Sequence, residues 1–270
     1  MLADVGHGFL INALVTAGIL AVCVLLLWAL SIRLRNISII DVFWGPGFAL
    51  VALASYLHSA HAGIPGRRAL VAVLTAAWGL RLGIHLFVRN HGKPEDARYT
   101  AAFRDRYPRH LHVHTLVKVF LLQGALIWLI SMPVQLAAFL RDPPTLGVAA
   151  IAGSALWLVG FLFEAISDWQ LARFKADPAN RGRIMDRGLW RYTRHPNYFG
   201  NACLWWGLAL VACDSPVGIL TLYAPLLMTY FLVNVTGKRL LEARMSQAHP
   251  DYAAYVRRTS GFFPWPPRRD

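Results

Sequence analysis

Charge is the scarcest feature of this chain. Only 15% of its 270 residues are Asp, Glu, Lys or Arg, while 56% are hydrophobic. Ordinary soluble domains carry about 25% charged residues, so a conventional water-soluble globule is excluded. Cysteine is nearly absent: Cys23, Cys203 and Cys213 each lie inside an apolar run without paired spacing. That excludes a disulfide framework and a zinc knuckle. No Gly-x-Gly-x-x-Gly occurs, so a Rossmann dinucleotide fingerprint is also excluded. Acidic residues number 14 against 27 Lys and Arg. A net charge of +13 invites a nucleic-acid reading, but the position of the cations decides otherwise.

What the chain has in abundance is long apolar runs, and its mean hydropathy is +0.43. A bilayer core of about 30 Å takes about 20 apolar residues per helical crossing. Phe9–Ile32 contains no charged residue. Its length, and Asp4 in place of a basic flank, argue against a cleaved leader. Six further runs follow: about Ile37–Leu57, Ala69–Val88, Val119–Leu140, Thr145–Phe163 extending to Ser167, Asn197–Cys213 and Pro216–Val235. Continuous apolar runs exclude the alternation of a membrane barrel. The expected fold is therefore all-α, a polytopic bundle of seven transmembrane helices forming one integral membrane domain over residues 1–270. Of the 27 Lys and Arg, 23 fall in alternate connections and the tail. The excess of cations in cytoplasmic loops then predicts an N-terminus outside and a C-terminus inside. Membrane lipids, not nucleic acid, become the expected macromolecular surroundings, and the chain is expected to be a monomer.

Polar mass collects on that cytoplasmic face. The stretch RHPNYFGN, residues 194–201, opens the sixth run. Pro196 suits a first helical turn, whose free N–H groups and dipole favour an anion. Arg194, Asn197 and Asn201 then share one helix face, with His195 and Tyr198 alongside. Upstream, Glu164 and Asp168 stand one turn apart at the end of the fifth run, and intramembrane carboxylates mark functional sites. Arg173, Lys175, Arg181 and Arg183 follow as donors suited to phosphate or pyrophosphate. In the tail, Lys238, Arg239 and Glu242 continue the last run as a helix, with Glu242 facing Lys238 or Arg239. Asp41 sits in the first turn of the second run and is read as a hydrogen-bond or proton donor to a substrate carbonyl. His85, one turn beyond Arg81 on the third run, is read as its assistant. Trp44-Gly45-Pro46-Gly47 is read as a helix break opening a substrate cavity, lined by Trp44. His110, His112 and His114 alternate as on one side of a strand, but no second histidine box supports a metal, and none is expected.

The pattern D-x-Q-L-x-x-F-K from Asp168, N-R-G-R from Asn180 and G-L-W-R-Y-x-R-H-P-N-Y-F-G from Gly188 resembles the steroid 5-alpha-reductase superfamily, in particular its bacterial membrane branch catalogued as DUF1295. Asp41-Val42-Phe43-Trp44-Gly45, Arg81-Leu82-Gly83, Glu95-Asp96-Ala97-Arg98-Tyr99 and the Tyr255 to Pro264 segment extend the resemblance over nearly the whole chain. It implies a seven-span enzyme of the bacterial inner membrane that reduces an enone with NADPH. Spans 1–4, residues 1–140, would then enclose a hydrophobic, steroid- or lipid-like substrate. Residues 141–270 would hold the cofactor through Glu164, Asp168, Lys175, Arg183, Arg194 and His195, and through Asn197, Tyr198, Asn201, Lys238, Arg239 and Glu242. Arg98 and Tyr99 are assigned to the cofactor on the same resemblance. One departure stands out: the motif usually ends Gly-Glu, and here it ends Gly200-Asn201. Asn keeps one acceptor and two donors but no charge. Two other readings stay open. Isoprenylcysteine-type methyltransferases, which use S-adenosylmethionine, share Arg-His-Pro-x-Tyr-x-Gly and a late Glu, here Glu242. A non-enzymatic sterol- or lipid-binding protein would need none of these polar groups.

Overall fold

A computed structural model describes residues 2–235, 238–248 and 251–268, excepting the side chains of residues 2–5, 239, 240, 244 and 248. Ten helices organise them. They are α1 Leu2–Leu34, α2 Ile39–His58, α3 Pro65–Asn90, α4 Leu111–Ile130 and α5 Met132–Phe139. Then come α6 Val148–Ala176, α7 Pro196–Ala212, α8 Pro216–Val235, α9 Lys238–Ala248 and α10 Tyr252–Arg258. No strand occurs among the described residues, and Thr193 and Ser260 form an isolated bridge. Six helices are long and apolar enough to cross a membrane: α1, α2, α3, α4, α6 and α8. Their outer faces carry Leu14, Val148 and Leu220 at 73%, 84% and 74% exposure, an arrangement suited to lipid rather than water.

The run expected as a further span forms α7, but at 17 residues it is shorter than those six. Leu204, Trp205, Leu208 and Ala209 within it are fully buried, so protein rather than lipid covers its sides. The fourth run also differs from expectation. Its helix begins earlier, at Leu111, and stops at Ile130. Ser131 ends it, and Pro133, which has no N–H to continue a helical ladder, opens the wholly buried α5. Of the three histidines read as a strand, His112 and His114 therefore lie in the first turns of α4, and His110 caps its start.

The chain divides into two compact units, residues 1–147 with 211–221, and residues 148–210 with 222–270. In the first, the Trp44–Gly47 stretch is not a break: α2 runs through Pro46. Its glycines serve contact instead. A Cβ on Gly45 would strike the Gly79 carbonyl of α3, and one on Gly79 would strike the Gly45 carbonyl. Gly83 similarly admits the Pro46 ring. A buried polar network crosses the same unit. Asn12 Nδ2 donates to Ser55 Oγ at 3.0 Å and Gln135 Oε1 at 3.2 Å, Thr16 Oγ1 donates to Gln135 Oε1 at 2.8 Å, and Gln135 Nε2 donates to Ser131 Oγ at 2.9 Å. Each polar group offsets another's desolvation where no water competes. Arg67, in the first turn of α3, is wholly buried. It donates to Asp214 at 3.1 Å and to the carbonyls of Leu140, Asp142 and Pro143.

In the second unit α6 and α7 pack backbone to backbone. A Cβ on Gly160 would meet the Gly200 carbonyl and Leu204 nitrogen at 2.5 Å, and one on Gly207 would meet the Gly153 carbonyl at 2.5 Å. Two helices with glycines seven residues apart thus close against each other without side chains between them. Gly160→Leu should therefore lower the thermal unfolding midpoint in detergent, with a loss of about 1–3 kcal/mol as for an overpacked core. Gly18→Ala, inside α1 where a Cβ meets nothing within 4 Å, should not lower that midpoint and should raise it slightly, because Ala is the better helix former.

Candidate functional site

Two constellations of polar groups stand out, one in each unit. In the first, Asp41 lies in the opening turn of α2. Its Oδ1 accepts the Tyr99 hydroxyl at 2.6 Å, and its Oδ2 accepts Arg98 Nη2 at 3.3 Å. The donors come from a short helical turn, Ala97–Tyr99, capped by Asp96, whose Oδ1 accepts the Arg98 backbone N–H at 2.9 Å. Asp96 Oδ2 also holds the same guanidinium, at 3.0 Å from Nε and 2.8 Å from Nη2. Gln123 of α4 donates to the Tyr99 oxygen at 3.4 Å. Burial, then the neighbouring Asp41 charge and hydrogen bond, push the Tyr99 phenol well above its ordinary value, so it keeps its proton at neutral pH. Trp44, one turn beyond Asp41, is half-buried with its ring edge-on to Phe48 at 5.5 Å. Tyr99, which the sequence reading gave to the cofactor, stands directly against Asp41. His85 is half-buried on α3, one turn from Arg81.

Sequence overlooked what anchors this turn. Glu95 accepts the Ile37 backbone N–H at 2.5 Å and Arg104 Nε at 2.6 Å, and Arg104 Nη2 also donates to the Arg35 carbonyl at 2.8 Å. Burial alone would raise the Glu95 carboxyl, yet the Arg104 guanidinium and the Ile37 N–H hold it below its ordinary value. The loop after α3 is thereby tied to the turn between α1 and α2, which sets Tyr99 at the height of Asp41.

The second constellation is a ladder across the glycine-closed pair α6 and α7. Asn201 Nδ2 donates to Glu164 Oε2 at 3.1 Å, and one turn away Asn197 Nδ2 donates to Asp168 Oδ1 at 3.2 Å. Glu164, Asp168 and Asn201 are 3%, 7% and 7% exposed. Asn201 Oδ1 is buried and has no hydrogen-bond partner among the described residues. Just before α7, Arg194 donates to Glu242 Oε1 from Nε at 2.9 Å and Nη2 at 2.8 Å, while its Nη1 donates to the carbonyls of Val256 and Thr259. His195 Nε2 reaches the same Glu242 oxygen at 3.1 Å, and its ring stacks on Tyr198 at 5.4 Å. Glu242 therefore faces Arg194 and His195. Lys238 lies close enough to act on His195 electrostatically, and the Arg239 side chain lies outside the described residues. Lys175, Arg181 and Arg183 are exposed, and Arg181 and Arg183 form no ion pair among the described residues.

These motifs run through most of the chain, and so does a family match. The family model described as a protein of unknown function, DUF1295, spans residues 27–259. The chain belongs to the DUF1295 family. This DUF1295 protein is similar to an uncharacterized protein of Schizosaccharomyces pombe, 24% identical over 267 residues, covering 88% of this chain and 75% of that one. It is also similar to 3-oxo-5-alpha-steroid 4-dehydrogenase 1 of Bos taurus, 37% identical over 62 residues, which is 23% of this chain and 24% of the bovine protein. No solved structure matches it significantly.

The Arg194–Glu242–His195 contact carries a pH dependence. Burial, with Arg194 and Lys238 nearby, holds His195 below 6.5 despite Glu242, so it is neutral at pH 7. Burial would raise Glu242, but His195 and Arg194 together hold it below 4.5. Both shifts act in one direction. Below the unfolded value of each group the unfolded chain binds the proton more readily, so native stability falls on acidification. The loss begins as pH drops through 6.5 and deepens below 4.5 as Glu242 protonates. The protection factors of the amides of residues 252–262, which remove the intrinsic pH dependence of exchange, should therefore fall between pH 7.5 and 5 in the wild type, and in Glu242→Gln they should already be low at pH 7.5.

Proposed function

We propose that this DUF1295 protein is a membrane-embedded reductase that uses NADPH to saturate a carbon–carbon double bond conjugated to a ketone in a steroid- or lipid-like substrate. In this reading α7 is the seventh crossing. The observation that carries the proposal is the 2.6 Å contact of Tyr99 with Asp41. A protonated phenol is held against a carboxylate at the head of a membrane helix, with Trp44 one turn away. The partial likeness to the bovine 3-oxo-5-alpha-steroid 4-dehydrogenase supports the substrate class.

The residues of the second unit fit a nicotinamide dinucleotide. The partnerless Asn201 Oδ1 is an acceptor suited to a carboxamide NH₂, and Asn201 Nδ2 is steadied by Glu164. Exposed Lys175, Arg181 and Arg183 suit the phosphates, which need cations here because no glycine-rich loop exists. When bound, NADPH supplies the hydride that adds to the β-carbon. In the resting site Asp41 orients the phenol, and Arg98 keeps the carboxylate in place. A phenol has one proton, so on substrate binding the Tyr99 O–H turns from Asp41 to the ketone oxygen and gives that proton up as negative charge gathers there. Preorganised donors aimed at developing charge account for much of catalysis. Solvent then protonates the α-carbon of the enol while its O–H proton returns to Tyr99, so that one hydride and one proton are added in all and a saturated ketone is left.

The contact of Arg194 and His195 with Glu242 suits a second reading, an isoprenylcysteine-type methyltransferase, because it unites the elements shared with that class. Titration of purified protein with NADPH and with S-adenosylmethionine, followed by tryptophan emission, separates the two. NADPH should bind, and a 3-oxo-Δ4 steroid should drive its oxidation. Tyr99→Phe should lower kcat about 100-fold, as for loss of one donor to a developing oxyanion, with NADPH affinity unchanged. Asn201→Ala and Arg183→Ala should weaken NADPH binding instead. S-adenosylmethionine binding with no response to NADPH or to a panel of enones overturns the reductase.

A further inference from the structure

The residues after α10 run extended along the segment preceding α7. Arg194 N donates to the Ser260 carbonyl at 2.9 Å, Thr193 Oγ1 to the Phe262 carbonyl at 2.9 Å, and Trp265 N to the Tyr192 carbonyl at 3.0 Å. Arg268 N donates back to the Arg258 carbonyl at 3.0 Å. Phe262 and Phe263 set their rings edge-on to Phe199 at 6.2 and 6.1 Å. A segment so firmly held would ordinarily turn its large rings inward. Here Phe263 and Trp265 are each 70% exposed, beside Tyr192 at 43%. Phe263 and Trp265 flank Pro264. Exposed Arg191 and Arg268 lie on the same two stretches, and exposed Arg257 lies in the last turn of α10.

We propose that this aromatic and cationic face docks on the headgroup region of a bilayer containing anionic lipid, with Phe263 and Trp265 entering the interface and Arg191, Arg257 and Arg268 meeting lipid phosphates. The inference rests on α6 crossing the membrane and does not need the reductase reading. Depth supports it. Asp168 lies twenty residues beyond Val148, about 30 Å along a helix and about the thickness of the hydrocarbon core. The Asn197–Asp168 contact therefore puts the first turn of α7 at the core's edge. Phe199 belongs to that turn, and the two tail aromatics pack at its level. Tryptophan rings favour this zone, and basic side chains near a membrane surface are drawn to anionic headgroups. Charge also argues against a second copy as the occupant, since a chain of net charge +13 would bring cations onto cations.

The test uses the full chain in vesicles made with lipids brominated near the headgroup, which quench nearby tryptophan. The difference between wild-type and Trp265→Phe emission isolates Trp265, and unchanged emission from the other tryptophans shows that the variant folds. The Trp265 signal should be quenched severalfold more strongly in brominated phosphatidylglycerol than in brominated phosphatidylcholine. Arg191→Ala combined with Arg257→Ala and Arg268→Ala should abolish that preference while Trp265 is still present. No quenching in either lipid overturns the proposal, and so does equal quenching in both. Protection of Trp265 from aqueous acrylamide that grows with protein density, whatever the lipid charge, assigns the face to a second copy and equally overturns it.

Discussion

The close approach of α6 and α7 is the constraint on which the second unit depends. With Gly160 against Gly200 and Gly153 against Gly207, nothing but backbone separates the helices, so side chains as short as Asn and Asp can bridge them. Glu164 and Asp168 on one helix then meet Asn201 and Asn197 on the other, rung by rung. A carboxylate buried without partners would be severely disfavoured. Here amide N–H groups offset part of that penalty. A wider spacing would leave the carboxylates stranded and the start of α7 undefined in depth. The glycines thus decide both where the polar ladder can exist and where the RHPNY segment emerges.

The first unit handles its carboxylate differently. Asp41 is held by a phenol on one oxygen and a guanidinium on the other, and that guanidinium is itself gripped by Asp96. Neither donor belongs to a membrane helix. Both ride on a turn of three residues whose place comes from Glu95, which binds Ile37 and Arg104. A long helix is stiff but cannot bring Arg98 and Tyr99 round to Asp41 from a sequence distance of almost sixty residues. A short capped turn, lashed to the preceding helix corner, can.

The helical character of the chain was legible in its apolar runs, because length and uniform hydropathy need no tertiary information. Boundaries were legible only where a local residue enforces them. The stop at Ser131 is written in Pro133, yet it was obscured by an unbroken apolar run on both sides. Trp44-Gly45-Pro46-Gly47 misled for the opposite reason. Its residues are helix breakers by propensity, but a neighbouring helix with Gly79 and Gly83 rewards the continuous form. Glu164, Asp168, Asn197 and Asn201 could each be singled out as polar residues in greasy surroundings. Their pairing could have been found too, since glycines recur at a seven-residue interval on both helices. Tyr99 as the partner of Asp41 was not readable from spacing, because the loop that delivers it has no periodicity. The burial of Arg67 was not readable either, because a sequence shows position along the chain, not the carbonyls waiting around it.

Arg194 shows why cations near an expected anion site cannot be treated as equivalent. A guanidinium has five N–H donors, and Arg194 directs Nε and Nη2 to Glu242 and Nη1 to two tail carbonyls. Little is left for a phosphate, and at 9% exposure little room is left either. Its work is to hold α9 and the tail against the start of α7, which also fixes His195 and its stack on Tyr198. The exposed Arg181 and Arg183 have the opposite profile, hydrated and without an ion pair among the described residues, so a polyanion can take them at small desolvation cost. Within one basic segment burial therefore separates a cation held by protein groups from cations left to water, and the motif's best-marked arginine is the one held.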